Sequence, residues 1–222
     1  MCGRFTLTLD PEEIREALQL GEFPPQWIPR YNIAPSQPIA AVTDAASRAV
    51  EFLRWGLVPS WAKDISIGNR LINARAETLN EKPSFRTALK KRRCLILVDG
   101  FYEWKKSQQP RGASVPYYFQ RKDSKPFAFA GLWEIWHSPE EDVLRSCTII
   151  TTEANGVVAP VHDRMPVILD VSTAWKWMQD APVESLLSYL KPYPADQMTT
   201  YQVQRDVNDP NIDNRSLITP LN

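Results

Sequence analysis

Glycine, cysteine and histidine are all scarce in this chain: 8, 3 and 2 residues among 222. Eight dispersed glycines leave no glycine-rich loop to cradle a phosphate. Two histidines, His137 and His162, and no close His/Cys spacing argue against a zinc site, so neither metal nor cofactor is expected. Three cysteines without close pairs fit a reducing compartment rather than a disulfide framework. Net charge is absent too. The 26 basic residues balance 26 acidic ones, which excludes coating of nucleic acid by bulk electrostatics but leaves room for a local basic groove. No apolar stretch reaches the length needed to span a bilayer. Asp10, Glu12 and Glu13 stand where a signal peptide would be basic and then apolar. A cytoplasmic protein without a membrane partner is expected.

Tryptophan and proline, at 8 and 19 residues, are well represented and point to an aromatic-lined, loop-rich fold with stiff connections. A first helix starts with Asp10 as N-cap, Pro11 at the first helical position and Glu12 and Glu13 in the first turn; it stops before Gly21. Residues 23–38 read as proline-rich and extended. Strands are predicted at 49–53, 71–76, 94–98, 117–120, 127–131, 147–151, 167–169 and 198–204. Short helices are predicted at 84–91, after Ser172 and at Pro182. Many strands and few helices give an α+β, mainly antiparallel β fold: one domain over residues 1–222, with a curled, barrel-like sheet and a few peripheral helices. The polar stretch 105–115 reads as a hairpin loop. The basic run Lys90-Lys91-Arg92-Arg93 reads as a solvated helix end.

Four segments carry chemistry. Cys2 follows Met1 and is small enough for the methionine to be trimmed, which would leave an amine and a thiol on adjacent carbons. Such an aminothiol attacks an aldehyde twice, closing a five-membered thiazolidine ring with a large proximity advantage. An α-amine near 7.7 is about one-third uncharged at physiological pH without tuning. Asn73, Arg75 and Glu77 alternate along a strand and form a polar stripe opposite Ile72, Ala74 and Ala76. Glu103 sits between aromatics in Asp99-Gly100-Phe101-Tyr102-Glu103-Trp104, where burial would raise its pKa toward neutrality. His162 lies in Val161-His162-Asp163-Arg164-Met165-Pro166, a loop stiffened by Pro166. Cys94 and Cys147, in apolar runs, read as inert core residues; His137 reads as part of a surface turn.

In this order these segments, together with Arg30-Tyr31-Asn32-Ile33-Ala34-Pro35 and Trp55-Gly56-Leu57-Val58-Pro59, resemble the SRAP (SOS response-associated peptidase) family. The motifs span the chain from residue 1 almost to its end. The resemblance implies an enzyme that senses abasic sites in single-stranded DNA, including single/double-strand junctions, and forms a thiazolidine DNA–protein crosslink through Cys2 after Met1 removal. It implies weak lyase activity and self-removal of Met1 as side activities. By the same resemblance Asn73 positions the Cys2 amine or the open sugar, Glu103 acts as acid and base, and His162 promotes ring opening. Arg4, Arg75 and Arg164 would hold phosphates, and Trp55 and Trp104 would wall the pocket or stack on bases. Pro83 and Phe85 are candidates for a wedge between duplex and single strand. A monomer, nucleoid-associated when bound to damaged DNA, is expected. With few phosphate contacts, the salt dependence of the initial complex should be shallow. Two rival readings are a cysteine peptidase with Cys2 as nucleophile and a non-covalent binder of single-stranded nucleic acid.

Overall fold

The computed structural model describes residues 2–107 and 112–221. Along the chain run β1 (Arg4–Leu7), α1 (Pro11–Leu18), β2 (Arg30–Ile33), β3 (Pro38–Val42), β4 (Glu51–Trp55), β5 (Asn73–Arg75) and α2 (Arg86–Lys91). They are followed by β6 (Arg93–Val98), β7 (Gly100–Lys105), β8 (Val115–Arg121), β9 (Phe127–His137), β10 (Val143–Glu153), β11 (Arg164–Pro166) and β12 (Ile168–Leu169). The last elements are α3 (Val171–Trp177), α4 (Val183–Ser188) and β13 (Met198–Gln202).

Two sheets share the core. In the larger, β10, β4, β3, β6 and β9 pair in turn, and β9 pairs back onto β10, closing a five-stranded barrel. The closure depends on length. β9 and β10 are eleven residues each, long enough to pair with each other and with partners on both sides. The second sheet, ordered β13-β8-β7-β1-β2, is antiparallel throughout. The expected mainly antiparallel, barrel-like α+β fold is therefore present, with two parallel pairings added: β10 with β4 and β10 with β5.

Aromatic side chains join the layers. Phe5 of β1 packs on Trp55 at 5.1 Å and on Phe129 at 6.0 Å between ring centroids, while Phe101 stacks on Phe119 at 5.1 Å. A second apolar cluster, built on Tyr102, Tyr118, Val203, Val207 and Leu217, lies on the other face of β7. Gly100 is needed where the sheets come together, since a Cβ there would lie 2.0 Å from the Tyr118 hydroxyl. Gly56, at φ 120, turns the chain out of β4 in a conformation that favours glycine.

The first helix starts as its sequence dictates, with Asp10 accepting from the Glu12 amide and Pro11 at its start. Five strands, β1, β2, β3, β7 and β11, fall outside the predicted ranges. β1 lies in a segment without a repeating apolar pattern, and β2 and β3 lie in or beside the stretch read as extended. Two readings are corrected. The polar stripe ends at Arg75, because a 3₁₀ turn over Ala76–Thr78 carries Glu77 out of the strand. The strand read at 167–169 is present as β12, and the preceding segment read as a loop carries β11; the sheet partner changes at Val167, whose amide donates to Ile150 O and whose carbonyl accepts from Ala130. β7 and β8 pair as a hairpin, as the 105–115 reading implies; residues 108–111 of that loop lie outside the described residues.

Candidate active site

Cys2 is fully buried immediately before β1. β1 is held between β2 and β7, so the chain start is fixed by strands on both sides. Its thiol lies 3.9 Å from the Arg4 carbonyl. Burial pushes this thiol far above the usual cysteine range, and the nearby Glu103 carboxylate adds to the effect.

Asn73 reaches Cys2 from β5. Its Nδ2 donates to the Cys2 carbonyl at 2.8 Å, a contact across 71 residues of sequence. The parallel pairing of Asn73 with Ile149 on β10 sets this reach. Asn73 Oδ1 is buried with no hydrogen-bond partner among the described residues, which leaves an acceptor beside Cys2.

Glu103 follows Phe101 on the face of β7 turned toward the barrel and is 2% exposed. Desolvation lifts its carboxyl to about 7, where acid and base forms coexist at neutral pH. His162 closes a turn in which its amide donates to Val158 O at 3.0 Å. Its Nδ1 lies 3.0 Å from the Arg164 amide nitrogen and 3.2 Å from the Arg164 carbonyl oxygen. The Asp163 carboxylate also lies 3.0 Å from Nδ1. Burial outweighs this carboxylate and keeps the imidazole below its ordinary pKa, neutral at pH 7. A cavity of about 350 Å³ opens here, lined by Trp104, Lys105, Lys106, Val161, His162 and Asp163.

The three arginines differ in what they leave free. Arg75 is exposed on β5. Arg164 forms a two-pronged pair with Glu77, at 2.7 and 2.9 Å, and also donates to Thr151 O. Arg4 donates to Asn32 Oδ1 at 2.6 Å and Val207 O at 2.7 Å, with its guanidinium 6.0 Å from the Trp104 ring. Both of these bonds come from Nη1, which ties the 205–208 turn to the chain start, while Nε is buried with no hydrogen-bond partner among the described residues. Trp104 borders the cavity and anchors its indole N–H on Asn208 Oδ1 at 2.7 Å.

The expected role of Trp55 is corrected. It is fully buried, donates to Ile72 O at 2.9 Å and packs on Phe5, so it offers no face to a base. The tryptophan that this segment exposes is Trp61, at 58%. Phe85 is no wedge either, since its ring is buried; Pro83 is exposed. Sequence reasoning gave no role to Lys105, Lys106 and Asn208. The two lysines were legible as the continuation of the Glu103 motif. Asn208, 104 residues from its partner, carried no local signal. Among the described residues no group of three His, Cys, Asp or Glu is placed to hold a metal, and no helix is long and apolar enough to cross a membrane.

The chain is 46% identical over 223 residues to "Abasic site processing protein YoqW" of Bacillus subtilis (strain 168), covering 98% of this chain and 99% of that one. It is 30% identical over 253 residues to "Abasic site processing protein HMCES" of Xenopus tropicalis, covering 94% of this chain and 75% of that one. A crystal structure of a Bacteroides thetaiotaomicron protein superposes with a TM-score of 0.88 at 25% identity, over 99% of this chain and 100% of that one. Residues 1–210 match the model of the family "SOS response associated peptidase (SRAP)", and the chain belongs to that family.

Proposed function

We propose that this protein captures abasic sites in single-stranded DNA by forming a thiazolidine with Cys2 once Met1 has been removed. The observation that carries this reading is the convergence of Asn73 and a near-neutral Glu103 on a buried Cys2 at the chain start. Relatives named as abasic site processing proteins over nearly the whole chain support it.

The chemistry follows from the groups present. The freed Cys2 amine attacks the aldehyde carbon of the open sugar and, with loss of one water, forms an imine. The thiol sulfur then adds to the imine carbon, and its proton ends on the nitrogen. Glu103, at about 7, can give a proton to the departing hydroxyl and take one from the thiol. His162, held below its ordinary pKa by burial, is suited to proton transfer on the sugar as its ring opens. Asn73 fixes the Cys2 carbonyl and so orients the amine. An imine left without the thiol is open to β-elimination, which accounts for weak lyase activity as a side reaction.

A thiol kept protonated by burial favours capture over a general cysteine peptidase, which attacks as thiolate. The test uses a single-stranded oligonucleotide with one abasic site, a denaturing gel and intact mass spectrometry. A species surviving denaturation without reductant, on protein lacking Met1, is expected. Correctly processed protein that forms no covalent species would refute the proposal.

A further inference from the structure

The basic run that the sequence presents as one solvated patch is sorted by the fold into two kinds of cation. Arg93 is buried, with its guanidinium donating to the carbonyls of Trp177, Leu89, Lys90 and Gln179. Arg92 pairs with Glu134 at 2.6 Å. Lys90, by contrast, is exposed, as are Lys82 and Arg86 before it, and none of the three has an ion pair among the described residues.

These three lie four residues apart, Arg86 and Lys90 on α2 and Lys82 in the turn before it. The Arg86 amide donates to Lys82 O at 3.0 Å and the Leu89 amide to Phe85 O at 2.8 Å, leading into α2. At about 5.4 Å per helical turn, Arg86 and Lys90 lie one turn apart on α2, with Lys82 ahead of them in the row. Phe85, Ala88 and Leu89 are buried against the barrel and fix which way the turns face. The row also follows the candidate site along the chain. Asn73 holds Cys2, Arg75 follows two residues on, and after the 3₁₀ turn Thr78 O accepts from the Lys82 amide at 3.1 Å. Of the acidic residues in this stretch, Glu77 is engaged by Arg164, and Glu81 is exposed beside the row's start.

We infer that Lys82, Arg86 and Lys90 form a phosphate-binding ridge that carries the sugar–phosphate backbone of the lesion strand away from Cys2. The inference rests on the proposed function for its partner. In a chain without net charge, an unpaired row of cations that follows the site along the chain is a local track suited to a polyanion with evenly spaced charges.

The test measures non-covalent binding of a single-stranded oligonucleotide as a function of salt, using protein carrying Cys2→Ala so that equilibrium is read. Adding K82Q, R86Q and K90Q should lower the log–log salt slope by about 2, from three phosphates at about 0.7 each. Over a fourfold rise in salt, the unsubstituted ridge should therefore lose about 16-fold more affinity than the substituted one. Glutamine suits exposed helical positions, and thermal melting verifies that the fold is kept. The matched triple K122Q, K125Q and K176Q, exposed residues elsewhere, removes the same charge and should leave the slope unchanged. An equal fall in both triples would reduce the effect to net charge and overturn the ridge, as would no fall in the ridge triple. Crosslinking by the Cys2 protein is scored separately. Its absence with normal salt-dependent binding would refute the capture chemistry and leave the ridge standing.

Discussion

Replacing Glu103 by glutamine isolates one buried charge and gives a prediction that can be worked through. In the folded protein desolvation lifts this carboxyl from 4.5 to about 7. Below pH 4.5 the group is protonated in folded and unfolded chains alike, and its contribution to stability is complete. Between 4.5 and about 7 the folded protein keeps a proton that the unfolded chain has released, so stability falls as pH rises through this window. At about 1.4 kcal/mol per pH unit, the loss is about 3 kcal/mol once pH 7 is passed. Glutamine has nearly the same shape and does not ionise. Glu103→Gln should therefore match the parent near pH 4.5 and exceed it by up to about 3 kcal/mol at pH 8. Urea unfolding of both proteins at several pH values measures the difference, and other titrations cancel because they are common to both. Identical pH trends would refute the claim that Glu103 is held by a desolvated site. The same substitution should slow crosslink formation by about 10²- to 10⁴-fold, the usual contribution of a general acid or base. The variant would thus be more stable and less active, as expected where a site holds an unfavourable charge for its chemistry.

Cys2→Ala should abolish the crosslink while leaving single-strand affinity within about twofold by fluorescence anisotropy; retained crosslinking would remove Cys2 from the chemistry. Trp55→Ala should cost about 3–5 kcal/mol in denaturant unfolding, because it empties a fully buried site beside Phe5. Trp61→Ala, at an exposed position, should stay within about 0.5 kcal/mol by the same assay. Gly100→Ala should fail to fold or lose several kcal/mol, since no room exists beside the Tyr118 hydroxyl; a normal melting temperature would show that the sheets yield there. His162→Gln should slow crosslinking most when ring opening limits the rate, and a substrate locked in its open form should restore much of the loss.

Much of this protein is legible in one dimension because the signals are local. Asp10 and Pro11 start a helix by satisfying or removing the amides that a helix start leaves unbonded, and no distant residue is needed. The apolar runs at Cys94 and Cys147 become core strands because their burial is nearly complete on both faces. Cys2, Asn73, Glu103 and His162 could be singled out because each stands in a distinctive local context. Tertiary structure decided what those residues experience. Trp55 and Trp61, six positions apart, look alike in sequence; barrel closure buries one and leaves the other 58% exposed. Arg92 and Arg93 share a run with Lys90, yet Glu134 pairs with the first and a set of carbonyls from α2, α3 and the residues after α3 engages the second. Glu103 gains its near-neutral carboxyl from desolvation, which arises only when β7 packs against the barrel. The meeting of Asn73 with Cys2 depends on β5 pairing with β10, a strand more than 70 residues further along the chain. Sequence sets the local geometry and the inventory of groups. Burial and long-range pairing set their charge states and their neighbours, because both depend on atoms far away along the chain.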